Sequence, residues 1–438
     1  MSDLLQAVVA GAEPEELLSL DLPSTYRAAH LLKDEVGIFE DEVDKDVRRS
    51  LHVGEVDMPE LAPDECIVAV MSAAINFNTV WSAIFEPVPT FSFLEKFGRR
   101  GWHGARHDLP YHQLGSDGSG VVVRVGAGVK NWKPGDKVVI SPIHVDEEDH
   151  ATYDDAMMTE TQLAWGFETN FGSLGEFCLV KANQLIKKPA HLSWEEAAAS
   201  TLCAATAYRM LVGPHGATMK QGDVVLIWGG AGGLGSYAIQ FVKNGGGIPV
   251  AVVGSEERAR LVRAQGCEHV INRSELNLPE GGFRSPKAGR ILGEAIRSLV
   301  GEDPQIVFEF VGAETFATSV YVAKRGGSIV TCGSSTGYQH EYDNRYLWMR
   351  LKRIIGSHAF NYHEAAQTNR LIGLGMIHPT LSQVFSLDDA GEATRAVQTN
   401  QNVGKVAVLC AAPSEHLGID DPGLRARIGE DKINLYRQ

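Results

Sequence analysis

The chain has 438 residues, with 40 Lys plus Arg against 55 Asp plus Glu and a formal charge of -15. At roughly 150 residues per domain this length predicts two or three domains, and 44% hydrophobic with 22% charged residues excludes disordered, collagen-like and purely coiled-coil chains. The acidic balance argues against nucleic acid as a partner.

Residues 1 to about 60 read as an acidic N-terminal arm, with helical spacing at Pro14-Glu-Glu-Leu-Leu and again around Tyr26 to Leu32. The N-terminus, Met1-Ser-Asp-Leu-Leu, lacks a basic segment followed by an apolar one, and no run reaches about 18 apolar residues, so neither export nor a membrane span is expected. Cys66-Ile-Val-Ala-Val-Met, Gly120-Val-Val-Val-Arg-Val and Lys137-Val-Val-Ile predict strands, punctuated by Gly126-Ala-Gly and Lys133-Pro-Gly-Asp turns. A β-rich first part follows. Ser193-Trp-Glu-Glu predicts a capped helix start. Beyond it, Val224-Val-Leu-Ile-Trp, Pro249-Val-Ala-Val-Val, Gln305-Ile-Val-Phe-Glu and Ser328-Ile-Val-Thr-Cys alternate with helical segments such as Ser236 to Asn244 and Glu256 to Ala264. That alternation predicts βαβ units and a parallel sheet covered on both faces. From about His363 the chain reads as helical, then as one strand, Lys405-Val-Ala-Val-Leu, and a polar tail. The division expected is a discontinuous β-rich domain of residues 1–203 and 362–438 around a Rossmann domain of residues 204–361. The six cysteines are scattered without a C-x-x-C pair, which predicts a reduced, cytoplasmic protein.

The most informative local pattern is Gly229-Gly-Ala-Gly-Gly-Leu-Gly235 between a predicted strand and a predicted helix. Gly230, Gly232 and Gly235 satisfy G-x-G-x-x-G in the setting that gives it meaning, with Gly233 and Leu234 completing the turn. Without Cβ atoms the backbone N–H groups can approach a pyrophosphate, and the helix presents its positive end to it. The next strand ends Val253-Gly-Ser255 with no acid to grip a ribose 2′-OH. Gly254 leaves room for a 2′-phosphate, Ser255 offers a hydroxyl and Arg258 a charge, so NADPH is preferred over NADH. Arg273 is a second cation for that phosphate or, equally, a solvated arginine.

A β-rich domain followed by a late Rossmann domain, with Gly-Gly-Leu-Gly-Ser in the cradle and Thr206-Ala-Tyr before it, resembles the medium-chain dehydrogenase/reductase superfamily. Asn76-Phe-Asn78 stands where its zinc-dependent members carry the catalytic cysteine, and the four-cysteine lobe is missing, so no metal is expected. Longer segments narrow the resemblance to the crotonyl-CoA carboxylase/reductases. They include Pro23-Ser-Thr-Tyr-Arg-Ala-Ala, Ile84-Phe-Glu-Pro, His107-Asp-Leu-Pro-Tyr-His, Trp165-Gly-Phe-Glu-Thr-Asn-Phe-Gly, Tyr342-Asp-Asn-Arg-Tyr-Leu-Trp-Met, Gly356-Ser-His and Ile377-His-Pro-Thr-Leu-Ser. The fold this resemblance implies is a GroES-like catalytic domain with a doubly wound NADPH domain, assembled as a homotetramer, a dimer of dimers.

By the same resemblance, NADPH would deliver hydride to the β-carbon of a 2-enoyl-CoA, and the enolate would attack carbon dioxide to give an alkylmalonyl-CoA. Asn78 would hydrogen-bond one oxygen of carbon dioxide, Phe167 would exclude water, and Glu168 with His358 would anchor a water on the other oxygen. Plainer readings stand beside these: Asn78 as a turn residue, Phe167 as core, Glu168 as a surface acid, His358 as a satisfied core histidine. Coenzyme A phosphates call for a cationic patch, with Arg345, Arg350, Lys352 and Arg353, then Arg99, Arg100 and Arg106, as candidates and Tyr346 as an adenine neighbour. Asp146-Glu-Glu-Asp between His144 and His150 reads as a solvated face, and Ala217-Thr-Met-Lys220 as a surface turn. Two segments depart from the family: Phe310-Val-Gly replaces His-Pro-Gly after Glu309, and Ala359-Phe-Asn replaces Phe-Ala-Asn after His358. Both put the acyl-chain preference in question. The rival functions are a plain enoyl-CoA reductase, in which a proton quenches the enolate, and a catalytically silent NADPH-binding protein.

Overall fold

Four segments of the chain are apolar enough to be buried on both sides, and in the computed structural model, which describes residues 2–437, they form the middle of a six-stranded parallel sheet. Its order is His269–Asn272, Ile248–Val253, Val224–Ile227, Ile306–Glu309, Ser328–Thr331, Arg353–Gly356. Counted along the chain this is 3-2-1-4-5-6, the doubly wound arrangement whose order reverses beside Val224–Ile227. Helices Gly233–Asn244, Glu256–Ala264, Ala288–Val300 and Phe316–Val322 connect the strands. The phosphate-turn helix starts at Gly233, three residues earlier than expected, because Gly232 already serves as its N-cap.

The second body is built on Glu65–Ile75, an eleven-residue strand buried throughout. Gly118–Val125, Phe177–Lys181 and Lys405–Leu409 pair with it antiparallel, so the late strand Lys405–Leu409 lies in the same sheet as residues 65–75. Leu381–Ser386 pairs parallel to Lys405–Leu409. That strand was not expected, and neither were helices Pro422–Ile428 and Glu430–Ile433 in the polar tail.

The segment Thr25–Leu32 corrects a sequence expectation. It is a strand, paired with His52–Asp57 on one side and Tyr111–Gln113 on the other. Ala, Leu and Arg give it helical propensity, but pairing on both edges and burial of Tyr26, Ala28, Ala29 and Leu31 outweigh a preference of a few tenths of a kcal/mol per residue. Among the described residues, no helix is long and apolar enough to cross a membrane.

Candidate active site

The carboxyl ends of a doubly wound sheet leave a crevice where the strand order reverses. Here that crevice is walled by the turns after five of the six strands: Gly229–Gly232, Gly254–Ser255, Phe310–Gly312, Cys332–Gly333 and Ser357–Ala359. The glycines of the first turn divide the work. A Cβ on Gly230 would lie 2.8 Å from Ala251 Cβ, and one on Gly235 only 2.3 Å from Gly229 O, so these two allow helix and strands to close on each other. A Cβ on Gly232 would meet only Gly229 O at 3.3 Å and otherwise open space. The backbone at Gly232 therefore faces the crevice, where a pyrophosphate can reach the N-terminus of helix Gly233–Asn244. Thr206 and Ser357 each hold a buried hydroxyl without a partner among the described residues, which fits a polar ligand alongside.

At the next turn, Ser255 caps helix Glu256–Ala264 by accepting from Arg258 N at 3.3 Å. Its hydroxyl proton stays available. The structure separates the two arginines proposed for the 2′-phosphate. Arg258 spends its terminal nitrogens on Asn400 Oδ1, Asn400 O and Asn402 O, so it ties a loop and does not lead the phosphate site. Arg273 lies over Gly254, with Nε 3.5 Å and Nη2 3.8 Å from where a Cβ would stand, and has a long ion pair to Glu314 at 3.6 Å. A glycine beneath a guanidinium and no nearby ribose acid is a fitting pocket for a phosphate.

Opposite the sheet, Asn78 sits on helix Phe77–Ala83, directly after the long strand. Its amide straddles Ser116 Oγ, with Nδ2 at 3.0 Å and Oδ1 at 3.2 Å. Phe167 and Glu168 occupy a tight turn in which both N–H groups donate to Ala164 O. Phe167 packs against Phe93, ring centroids 5.8 Å apart, and Glu168 Oε2 accepts from Ala164 N at 2.8 Å. Burial pushes the Glu168 carboxyl up. His358 follows the edge strand Arg353–Gly356, its neighbour Ser357 donating to Thr331 O at 2.8 Å. Its ring opens to solvent yet is crowded by protein, and this desolvation, with the Arg209 charge second, lowers its pKa. The lowered pKa favours neutral imidazole at pH 7.

The two departures from the family pattern both bear on the cleft. Phe310 lies across the cradle, its Cζ 2.9 Å from where a Gly229 Cβ would be. Glu309, buried beneath, accepts from Val311 N, Gly312 N, Thr315 Oγ1 and Ser319 Oγ and so pins this turn. Ala359 takes φ 42°, in the left-handed region, and Phe360 turns wholly into a core with Ile143, Val145 and Ala205. Ala359, half-buried, packs at the edge of the same core.

Of the cations proposed for coenzyme A, Lys352 is corrected: it is buried and its Nζ donates to Val320 O and Tyr321 O, closing the end of helix Phe316–Val322. Desolvation lowers its pKa to about 8. Arg106 is corrected likewise, bound to both oxygens of Glu65 and stacked over Trp102. Arg100 donates to Thr161 O. Arg345, Arg350 and Arg353 are exposed, with Arg345 paired to Asp343, and Tyr346 lies edge-on to Tyr321.

One buried polar cluster was missed in the sequence. Lys405 Nζ donates to Ile75 O at 3.1 Å, to Asp117 Oδ2 at 3.3 Å and to Asn76 Oδ1. Burial raises the Asp117 carboxyl, opposed by Lys405 and Asn76; with N–H donors on both oxygens, Leu202 N at 2.9 Å among them, the ionised form fits. The signal in the sequence was a lysine opening an otherwise apolar strand, Lys405-Val-Ala-Val-Leu, since a buried lysine requires a partner.

The comparisons agree with this fold. Residues 62–190 match the alcohol dehydrogenase GroES-like domain and residues 233–373 the zinc-binding dehydrogenase domain. The chain is 51% identical to the crotonyl-CoA reductase of Streptomyces collinus over 444 residues, covering 100% of this chain and 99% of that one. It is 38% identical to the crotonyl-CoA carboxylase/reductase of Cereibacter sphaeroides, covering 83% and 85%. Among solved structures, the 2-octenoyl-CoA carboxylase reductase CinF in complex with NADP and 2-octenoyl-CoA superposes with a TM-score of 0.97 at 58% identity, covering 100% of this chain and 99% of that one. Fold, cradle and full-length identity together place the chain in the crotonyl-CoA carboxylase/reductase family of the medium-chain dehydrogenase/reductases.

Proposed function

We propose that this chain is an NADPH-dependent reductive carboxylase of 2-enoyl-CoA thioesters, using carbon dioxide and forming an alkylmalonyl-CoA. The observation that carries it is an open glycine cradle with Arg273 over Gly254, tied to the segment that carries Asn78 through Lys405, which packs against Gly233 and donates to Asn76 Oδ1. NADPH when bound supplies the hydride. The chain's residues do the rest. Gly232 and the N-terminus of helix Gly233–Asn244 hold the pyrophosphate, Arg273 and Ser255 hold the 2′-phosphate, and Thr206 offers its unpartnered hydroxyl to the cofactor. Hydride reaches the β-carbon of the thioester, and the electron pair released onto the α-carbon forms the new bond to carbon dioxide, whose oxygens take up the charge. The Asn78 N–H donates to one of those oxygens; an amide has no acidic proton to lose to the enolate. Phe167 excludes water, and Glu168 with His358 holds a water at the other oxygen.

The acyl chain extends beyond four carbons in this reading. Phe360, whose ring is taken up in the core, supports it, as does the likeness to a 2-octenoyl-CoA enzyme. Coenzyme A phosphates lie near Arg345, Arg350 and Arg353 with Tyr346 toward the adenine. The division into residues 1–203 with 362–438 and residues 204–361 is proposed on the pairing of Lys405–Leu409 with the early strands. The edge strand Arg353–Gly356 has an open side, and Trp348, Met349 and Leu351 beside it are exposed; such an edge calls for cover, which supports pairing of two copies within a dimer of dimers. Six free thiols support a cytoplasmic setting.

The test is NADPH consumption with enoyl-CoAs of four to eight carbons, with and without carbon dioxide, and mass analysis of products. A malonyl-type product that appears only with carbon dioxide supports the proposal. Equal turnover to saturated thioester alone refutes it in favour of a plain reductase, and NADPH binding without turnover refutes it in favour of a silent binder.

A further inference from the structure

We propose that Lys405, Asp117, Asn76 and Ser116 form a hydrogen-bond relay that anchors the Asn78 amide at the cleft, making them positioning residues for carbon dioxide capture. The inference rests on the reductive carboxylation proposed above. Its logic is the polarity of donors and acceptors. An ammonium only donates and an ionised carboxylate only accepts. Asn76 stands between one of each: its Oδ1 faces Lys405 Nζ and its Nδ2 lies 3.1 Å from Asp117 Oδ2. Reversing that amide would set N–H against ammonium and C=O against carboxylate, so Asn76 has a single orientation.

The orientation propagates. Asn76 Nδ2 also reaches Ser116 Oγ at 3.4 Å, so Ser116 accepts from Asn76 and cannot spend its one proton there. That proton goes to Asn78 Oδ1 at 3.2 Å. Ser116 Oγ thus bridges the amide, its proton on Asn78 Oδ1 and one Asn78 N–H beside it at 3.0 Å, and the second N–H is left for a ligand oxygen. Without the Ser116 hydroxyl the amide loses this anchor and can swing its carbonyl toward an oxygen of carbon dioxide, which it would repel.

Every member is buried apart from Asn78 itself, which is half-buried at the cleft. The relay also touches the cofactor cradle: Lys405 Cδ lies 2.9 Å from where a Gly233 Cβ would be, and Gly404 N donates to Ala231 O at 2.8 Å. The same lysine thus packs against the start of helix Gly233–Asn244 and orients the Asn76 amide.

The experiment measures products and kinetics of Ser116→Ala and Ser116→Thr beside the wild type, at several carbon dioxide concentrations. Loss of one neutral hydrogen bond corresponds to about three- to ten-fold. For Ser116→Ala, the ratio of saturated to carboxylated product rises by about that factor at limiting carbon dioxide, and so does the apparent KM for carbon dioxide, while the KM for NADPH stays within about two-fold. Ser116→Thr, which keeps the hydroxyl, restores both. A structural defect alone would not move the product ratio and be rescued by threonine. An unchanged ratio in Ser116→Ala, or a threonine variant as impaired as alanine, overturns the relay. Should Ser116→Ala fail to fold, Ser116→Cys fills the space with a weaker donor and shifts the ratio the same way; no shift overturns the relay. A wild type that carboxylates while the variants do not differ refutes the relay alone, whereas a wild type that never carboxylates refutes the proposed function and the relay with it.

Discussion

Gly232 and Gly235 lie three residues apart in one turn, yet an added methyl group should act on binding at the first and on folding at the second. At Gly235 the new Cβ would stand 2.3 Å from Gly229 O and 2.9 Å from Gly230 Cα. Relieving that overlap pushes helix Gly233–Asn244 off its strand, at an overpacking cost of about 1–3 kcal/mol, of which alanine's helical propensity returns at most about 1 kcal/mol. Gly232 has φ -81° and ψ 173°, which alanine adopts freely, and its methyl meets no close atom but Gly229 O at 3.3 Å. The methyl instead occupies the approach of the pyrophosphate. Forfeiting one charge-assisted hydrogen bond costs about 1.5–3 kcal/mol, or roughly 10- to 100-fold in Kd. Thermal melts of the apo protein and NADPH fluorescence titration separate the two effects. Gly232→Ala should melt near the wild type but bind NADPH at least ten-fold more weakly, and Gly235→Ala should melt several degrees lower. A Gly232→Ala protein that binds NADPH normally, or a Gly235→Ala protein with an unshifted melt, would refute this division of roles.

Three further outcomes are expected. Arg273→Ala should weaken NADPH about ten-fold or more while leaving NADH little changed, and Arg258→Ala should have the smaller effect on that preference, as read by parallel titrations. Glu168→Ala or His358→Asn should raise the saturated product relative to the carboxylated one; proportional loss of both products would show that the two residues serve hydride transfer as well. Acid should destabilise the fold through its desolvated histidines: desolvation lowers the buried His112 to about 4, the buried His107 well below its ordinary value and the half-buried His144 to about 3. For a base depressed in the folded state, stability is complete above the unfolded pKa near 6.5 and falls as pH drops toward the folded value. Between pH 6.5 and 5 each such group costs about 2 kcal/mol, and denaturant melts in which His112→Asn flattens that slope would check it.

The Rossmann half was legible because its strands are buried on both faces, so each is an unbroken apolar run with turn residues at its ends. Ile306–Glu309 and Ser328–Thr331 needed no alternation to be seen. The arm was not legible: Tyr26-Arg-Ala-Ala-His-Leu-Leu has helix formers, and the partners that make it a strand lie at residues 52–57 and 111–113. Sequence spacing carries no record of such pairing. The cofactor turn was legible from its glycines, but the choice between Arg258 and Arg273 was not, because it depends on Asn400 and Asn402. Lys352 among three other cations looked like a phosphate patch, and only burial against Val320 O and Tyr321 O distinguishes it. Asn78, Phe167, Glu168 and His358 came from resemblance; nothing in their spacing brings them to one crevice. Lys405, Asp117 and Asn76 are far apart in sequence and meet only when Lys405–Leu409 pairs beside Glu65–Ile75.

The central claim is that a shielded crevice beside the cofactor lets the reduced thioester form a carbon–carbon bond before it takes a proton. The most direct measurement is a turnover with isotopically labelled carbon dioxide, NADPH and a medium-chain enoyl-CoA. Label retained as a carboxyl group on the α-carbon, one equivalent for each NADPH oxidised, is the predicted result. Saturated thioester without label at every chain length would contradict it.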